Sequence, residues 1–287
     1  MLTTIIFSKD RPLQLDLTLK SLIQNWPINN KIVVIYKGTT PEYESSYKVL
    51  EKDYNFVGFY NEYNYNNDNN DGYGFKWLLE DCIHDSGPYL MFLTDDNIFY
   101  RKAKTTEVDL NFLFSGDTAC LSLRLGINIT HRDGYVSKQP DFERLGWNHL
   151  LWNRMTTLAQ DYFNYPLSVD GHVFKKDTIK EIIYNLSNYA TYDGKNQMPS
   201  NPNKFEQILQ RYFFEVPAFM VCELYSCVVN SPNNRVQNTI PNLYGQKYPY
   251  DPSYLLSLFN EGFRIKLEDL DFSNIVCPHQ EINIITQ

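Results

Sequence analysis

The sequence predicts an α/β protein with a mostly parallel central sheet flanked by helices, and three observations carry that expectation. Short runs rich in β-branched residues alternate with amphipathic stretches through residues 1–100, the pattern of βαβ units. One of those runs, Tyr89 to Leu93, is apolar throughout, as a strand buried on both faces must be. It ends in Thr94-Asp95-Asp96-Asn97, and in open α/β sheets ligands meet the chain beyond the carboxyl ends of the strands.

Taken in order, Thr3 to Phe7 reads as the first strand. After Pro12, Leu15, Leu19, Leu22 and Ile23 recur at helical spacing. Lys31 to Tyr36 is a second strand, closed by Gly38, and Pro41 opens a helix running towards Lys52. Val57 to Tyr60 is a short third strand. The stretch from Asn61 to Asp71 is dominated by Asn and reads as a solvated loop, one expected to order over a ligand. A third helix covers Phe75 to His84 and stops before Gly87 and Pro88. Beyond residue 100 the pattern loosens to a strand at Ala119 to Leu123, a long loop to about Trp147 and a helix near Lys204 to Phe213.

At 287 residues, without an internal repeat or linker-like composition, the chain is expected to form one domain. A formal net charge of −8 leaves no basic stripe for a polyphosphate backbone, so nucleic acid is not an expected partner. The apolar run at the N-terminus is too short for a signal peptide, and no stretch is long enough to span a bilayer, so a cytoplasmic location without a transmembrane segment is expected. Five scattered cysteines (Cys82, Cys120, Cys222, Cys227, Cys277) lack any metal-binding spacing and read as reduced, buried thiols.

Four segments, in this order, resemble the GT-A nucleotide-diphospho-sugar glycosyltransferases, and among them the family-two-like bacterial enzymes of surface-polysaccharide assembly. They are IIFSKDRPLQL, FLTDDNIF, the pair VDGHVFKK and NPNKFEQIL, and CPHQE. The resemblance covers nearly the whole chain. It implies a Rossmann-like GT-A domain over 1–287, with a nucleotide-sugar-binding half at 1–100, an acceptor-binding half at 101–243 and a C-terminal extension at 244–287. The implied reaction is metal-assisted transfer of a sugar from a nucleotide-diphosphate donor to a hydroxyl of a glycan or lipid-linked acceptor.

The resemblance also implies roles for particular residues. The acids of the DxD motif hold Mn²⁺ or Mg²⁺, which neutralises charge developing on the leaving diphosphate. Here that motif falls on Asp95, Asp96 and Asn97, with Asp95 facing the donor and Asp96 and Asn97 as metal ligands. The third position departs from the pattern because it is neutral. The alternative is that the two acids cap the following segment. His279 is implied as a further ligand brought back from the C-terminus, or else it is a surface histidine; His172 is the next candidate. Phe7, Ser8 and Arg11 match the base- and phosphate-facing positions after the first strand, although Arg11 could instead pair with Asp10 or Asp16. Lys76 matches a basic residue near the diphosphate. Arg124 and Arg235 are further cations left unranked.

Transfer to a hydroxyl needs a carboxylate within reach of the attacking oxygen to take its proton. The resemblance implies an acid at the start of a helix after the acceptor-binding strand, which by order along the chain is Glu206, with Asp170 as its rival; a first-turn acid favoured by the helix dipole is the bland reading of Glu206. Two other functions remain open: a sugar nucleotidyltransferase of the same fold, against which the Gly-free loop FSKDRP counts, and a noncatalytic carbohydrate-binding protein using its abundant aromatics. Donor, acceptor, stereochemistry and oligomeric state are not legible.

Overall fold

The computed structural model describes residues 1–65, 73–132, 134–159, 161–188, 199–237 and 244–285. The chain opens with strand β1 (Leu2–Lys9), helix α1 (Pro12–Asn25), β2 (Asn30–Lys37), α2 (Pro41–Asp53), β3 (Gly58–Asn61), a 3₁₀ turn over Glu62–Tyr65, α3 (Tyr73–His84) and β4 (Tyr89–Thr94). These follow the expected units closely. The Asn-rich stretch is shorter as a loop than its composition suggests, because Asn61 ends β3 and Glu62–Tyr65 is helical. Most of the expected ligand-ordered loop lies outside the described residues.

The second half continues with β5 (Asn97–Phe99), α4 (Glu107–Leu113), β6 (Thr118–Ser122), the hairpin β7 (His131–Arg132) and β8 (Tyr135–Val136), then β9 (Glu143–Leu145) and β10 (His149–Asn153). The expected long loop to Trp147 is thus broken by short strands. After two 3₁₀ turns come β11 (His172–Lys175), α5 (Lys176–Asn188), α6 (Pro202–Leu209), β12 (Phe219–Glu223), β13 (Val228–Asn230) and α7 (Pro252–Asn260). Asn201 caps α6 by accepting from the Lys204 amide at 2.9 Å, and Pro202 takes the first helical position, where its missing N–H costs nothing.

Among the described residues the main sheet has nine strands in the order β3-β2-β1-β4-β11-β6-β12-β10-β9. β1, β2, β3 and β4 are mutually parallel, β11 runs against them between β4 and β6, and β12 is again parallel to β6. β1 and β4 lie at the centre with both faces covered, which is why Leu2 to Ser8 and Leu90 to Leu93 are buried without alternation. All five cysteines are buried, and none of them forms a disulfide. No helix among the described residues is long and apolar enough to cross a membrane.

Helix α1 is buried on its polar side as well. Thr18 Oγ1 donates to the Asp95 carbonyl at 2.9 Å, Ser21 Oγ accepts from the Phe99 amide at 3.0 Å, and Asn25 Nδ2 donates to the Phe99 carbonyl at 2.6 Å. Three polar side chains on one helix therefore satisfy the irregular backbone just beyond β4, which would otherwise be buried without partners. α7 packs across α1 and α2, so the segment after residue 243 covers the first half of the chain.

Candidate active site

The acid turn sits where β4 ends, and the loop after β1 folds against it. Asp10 takes the left-handed region at φ 51°, which Asp tolerates better than most residues, and its carboxylate accepts from Thr39 N at 2.7 Å and Thr39 Oγ1 at 2.9 Å. This turn carries the chain into Arg11, whose guanidinium lies between the two acids. Its Nη1 donates to Asp95 Oδ1 at 2.9 Å and Asp96 Oδ2 at 3.0 Å. Nε and Nη2 donate to the side-chain and main-chain oxygens of Asn234, at 2.7 and 2.5 Å. Four of its five N–H groups are thereby used within the protein.

The other Asp95 oxygen, Oδ2, accepts from Ser8 Oγ at 2.9 Å and Lys9 N at 3.0 Å. Because the Ser8 proton goes to Asp95, Tyr47 OH donates to Ser8 Oγ at 2.7 Å and itself accepts from Arg11 N at 3.2 Å. Burial pushes the Asp95 carboxyl up to about 6, against the pull of the Arg11 charge, so it is ionised at neutral pH. The same burial raises the Tyr47 phenol well above its usual range, keeping it a donor.

A second cluster adjoins the first through Thr94. Its hydroxyl lies 2.7 Å from Asp96 Oδ1 and 2.8 Å from Asp170 Oδ1, and with one proton it can donate to only one of them at a time. Asn230 Nδ2 donates to Asp96 Oδ1 at 2.8 Å. Asp170 reaches this point because β11 pairs antiparallel with β4, His172 opposite Phe92, which sets Asp170 beside Thr94. Gly171 makes the corner at φ 69°, where an added Cβ would also press on Val228 at 3.3 Å.

Behind Asp170 stands Arg124, 2% exposed, whose Nη1 is 3.3 Å from Asp170 Oδ2 and donates to His279 Nε2 at 3.0 Å. His279 is placed by a backbone bridge to Asn230, with Asn230 N donating to Pro278 O and Gln280 N to Asn230 O, both at 2.9 Å. Burial alone would raise the Asp170 carboxyl; the neighbouring His279, 3.5 Å from Oδ2, and the Arg124 charge overturn this and hold it well below the carboxylate range.

Glu206, one turn into α6, completes the group. Its Oε1 accepts from Ser168 Oγ at 3.0 Å and Val169 N at 3.1 Å, and Ser168 Oγ also accepts from Asp170 N at 3.2 Å. Burial and the Asp170 charge push its carboxyl up, opposite to Asp170. Two acids joined through one serine thus have environments that separate their proton affinities.

The structure therefore brings Ser8, Arg11, Asp95, Asp96, Asp170, Glu206 and His279 to one end of the sheet. Phe7 is different. Its side chain packs on Phe75, Phe92 and Phe205 with centroids 5.4, 5.9 and 6.3 Å away, so it belongs to the core and offers the cleft no ring surface. Lys76, in the first turn of α3, lies 3.7 Å from Glu80. Asn97 is 0% exposed, and its Oδ1 accepts from Thr94 N at 3.0 Å, closing the turn from inside. The pairing partners weighed for Arg11 are engaged elsewhere: Asp10 with Thr39, and Asp16 with Lys20 at 2.7 Å. Tyr47, Thr94, Asn230 and Asn234 were not singled out by sequence, and Arg124 could not be ranked there.

This donor set does not suit a divalent cation. Each oxygen of Asp95 and Asp96 already accepts from a protein donor, a guanidinium occupies the space between them, and Asn97 faces inward. Among the described residues no three His, Cys, Asp or Glu side chains are grouped to hold a metal.

His172 lies beneath the cluster, fully buried. Its Nδ1 donates to the Pro166 carbonyl at 3.2 Å, so Nε2 is the bare nitrogen, and it has no partner. Burial, helped by the Arg124 charge, lowers it to about 3. The unfolded ring takes a proton below about 6.5 while the folded one does not, so the stability it contributes is full above that pH and is lost as pH falls towards 3. The stability gap between wild type and His172→Leu is expected to shrink by about 1.4 kcal/mol per pH unit below 6.5. Urea unfolding of both proteins from pH 7.5 to 5 measures this, and a constant gap would mean that the ring protonates in the native state.

No family model matches the chain. Its sequence is 22% identical over 306 aligned positions to the bifunctional glycosyltransferase pgtA of Dictyostelium discoideum, an alignment covering 94% of this chain. The resemblance is to a glycosyltransferase. The chain spans only 38% of that protein's length. Among solved structures, S. aureus TarS 1–349 superposes with a TM-score of 0.46 at 11% identity, covering 78% of this chain and 60% of that one. Its complex with UDP gives 0.46 at 12% identity over 77% and 57%. The complex with UDP-GlcNAc gives 0.41 at 14% identity over 63% and 46%.

Proposed function

We propose that this chain transfers a sugar from a nucleotide-diphosphate donor to an acceptor hydroxyl, in the assembly of a glycan or polysaccharide. The similarity to a glycosyltransferase over nearly the whole chain supports the reaction class. The observation that carries the chemistry is the pair Glu206 and Asp170, joined through Ser168 beyond the carboxyl end of β4, one raised and the other lowered in proton affinity.

Glu206 is the general base. As the acceptor oxygen bonds to the anomeric carbon, the bond from that carbon to the diphosphate breaks and the hydroxyl proton passes to the Glu206 carboxylate. A raised proton affinity suits that task, since a base works best near the operating pH. Asp170, held ionised by Arg124 and His279, is a poor proton acceptor and orients hydroxyls instead. The first loop's one arginine is committed to Asp95, Asp96 and Asn234, which leaves no phosphate cradle of the kind nucleotidyl transfer requires.

The test is release of nucleoside diphosphate from a panel of UDP-, GDP-, ADP- and dTDP-sugars, followed by chromatography. Slow hydrolysis of one donor is the expected result. Absence of both release and binding across the panel would sink the proposal.

A further inference from the structure

Resting on that reading, we infer that the acid pair Asp95 and Asp96 is an arginine clamp and not a cation site, so that this chain binds its donor without a divalent ion. The charge of the two carboxylates is met from inside, by Arg11. Its Nη1 bridges them at 2.9 and 3.0 Å, and the guanidinium is only 10% exposed. Arg11 is not a mobile counterion. Asn234 fixes its other two nitrogens at 2.7 and 2.5 Å, and the Tyr47 hydroxyl fixes its backbone. A guanidinium stays protonated at any working pH, so it leaves only by movement, and movement would break four hydrogen bonds.

A divalent ion entering here would need carboxylate oxygens at about 2.0–2.1 Å for Mg²⁺. Asp95 is 3% exposed, with Oδ2 held by Ser8 and Lys9 and Oδ1 held by Arg11. Asp96 Oδ1 is held by Asn230, with the Thr94 hydroxyl shared between it and Asp170. Asp96 Oδ2 has Arg11 on it, so an ion sharing that oxygen would sit within a few ångströms of a fixed positive charge, where repulsion is strong. The third member of the motif contributes no outward oxygen, because Asn97 Oδ1 closes the turn. The acids instead serve to fix three separate segments, the β1 loop, the β4 turn and the Asn234 strand exit, around one planar fork.

Two measurements on the wild-type chain test this, with two variants as controls. Mn²⁺ alone is titrated while its free-ion paramagnetic resonance signal is followed, and UDP or the donor nucleotide found in the panel is titrated by calorimetry in EDTA and in Mn²⁺. The expected result is no loss of free Mn²⁺ signal and equal nucleotide affinity in both buffers. Tightening of the nucleotide by about ten- to hundred-fold in Mn²⁺, or Mn²⁺ binding that Asp96→Asn abolishes, overturns the inference. Arg11→Met, if folded, should gain Mn²⁺ binding as the bared acids recruit a cation; a folded variant that does not gain it shows that Arg11 was not filling the cation's place. Should no nucleotide bind in either buffer while Mn²⁺ also fails to bind, the clamp stands and the glycosyl-transfer reading falls.

Discussion

Glu206→Gln is expected to leave donor binding unchanged and to slow transfer by about 10²–10⁴-fold. The amide keeps the side chain's shape and can still accept from Ser168 Oγ and Val169 N, so α6 and the β11 corner should hold their places. What is lost is the proton acceptor. Calorimetry with the donor and single-turnover transfer rates separate the two effects. If donor affinity falls along with the rate, Glu206 is a structural acid that pins the Ser168–Asp170 corner. If Glu206→Gln is active and Asp170→Asn is dead with normal donor binding, the base is Asp170, and Arg124 with His279 must then release it during turnover.

The second large effect is on stability. Asp95→Ala removes one of the two carboxylates facing Arg11 and leaves the Ser8 hydroxyl and Lys9 amide without their acceptor. Breaking a buried charge pair from one side costs about 3–5 kcal/mol, because the partner's charge stays desolvated. For a chain of this size that is a fall in melting temperature of roughly 10 °C. Circular dichroism melts at neutral pH measure it, and a loss under about 1 kcal/mol would mean that water reaches Arg11 and the clamp is not dry.

How much of this was readable beforehand depends on the range of the interactions. The units from β1 to β4 announce themselves because each is long enough to show its own period and is punctuated by Pro12, Gly38, Pro41 and Gly87. β7, β8 and β9 have two or three residues each, too few for any period, and β11 is hidden inside a segment read for its acid. Asp95, Asp96, Asp170, Glu206 and His279 could be grouped in one site only through the resemblance to GT-A glycosyltransferases. Their partners could not: Asn234 meets Arg11 across 223 residues and His279 meets Arg124 across 155. No local signal distinguishes those residues from surface polar ones. The burial of the Phe7 side chain follows from the place of β1 in the sheet, where both faces are covered and side chains go to the core on either side.

The position of β11 has a consequence for how the chain must assemble. β4 and β6 precede it in sequence, yet neither touches the other in the sheet; both find their partner in β11, made some fifty residues after β6. During synthesis the ribosome therefore releases one half-sheet, β3-β2-β1-β4, with an open edge at β4, and then β6, before the strand that joins them exists. Until residues 172–175 arrive, the β4 edge has unpaired backbone groups beside the apolar run Leu90 to Leu93, the kind of edge that recruits foreign strands. The corner that delivers Asp170 to Thr94 thus also closes the β4 edge, and the sheet beyond β6 waits for β12, made later still.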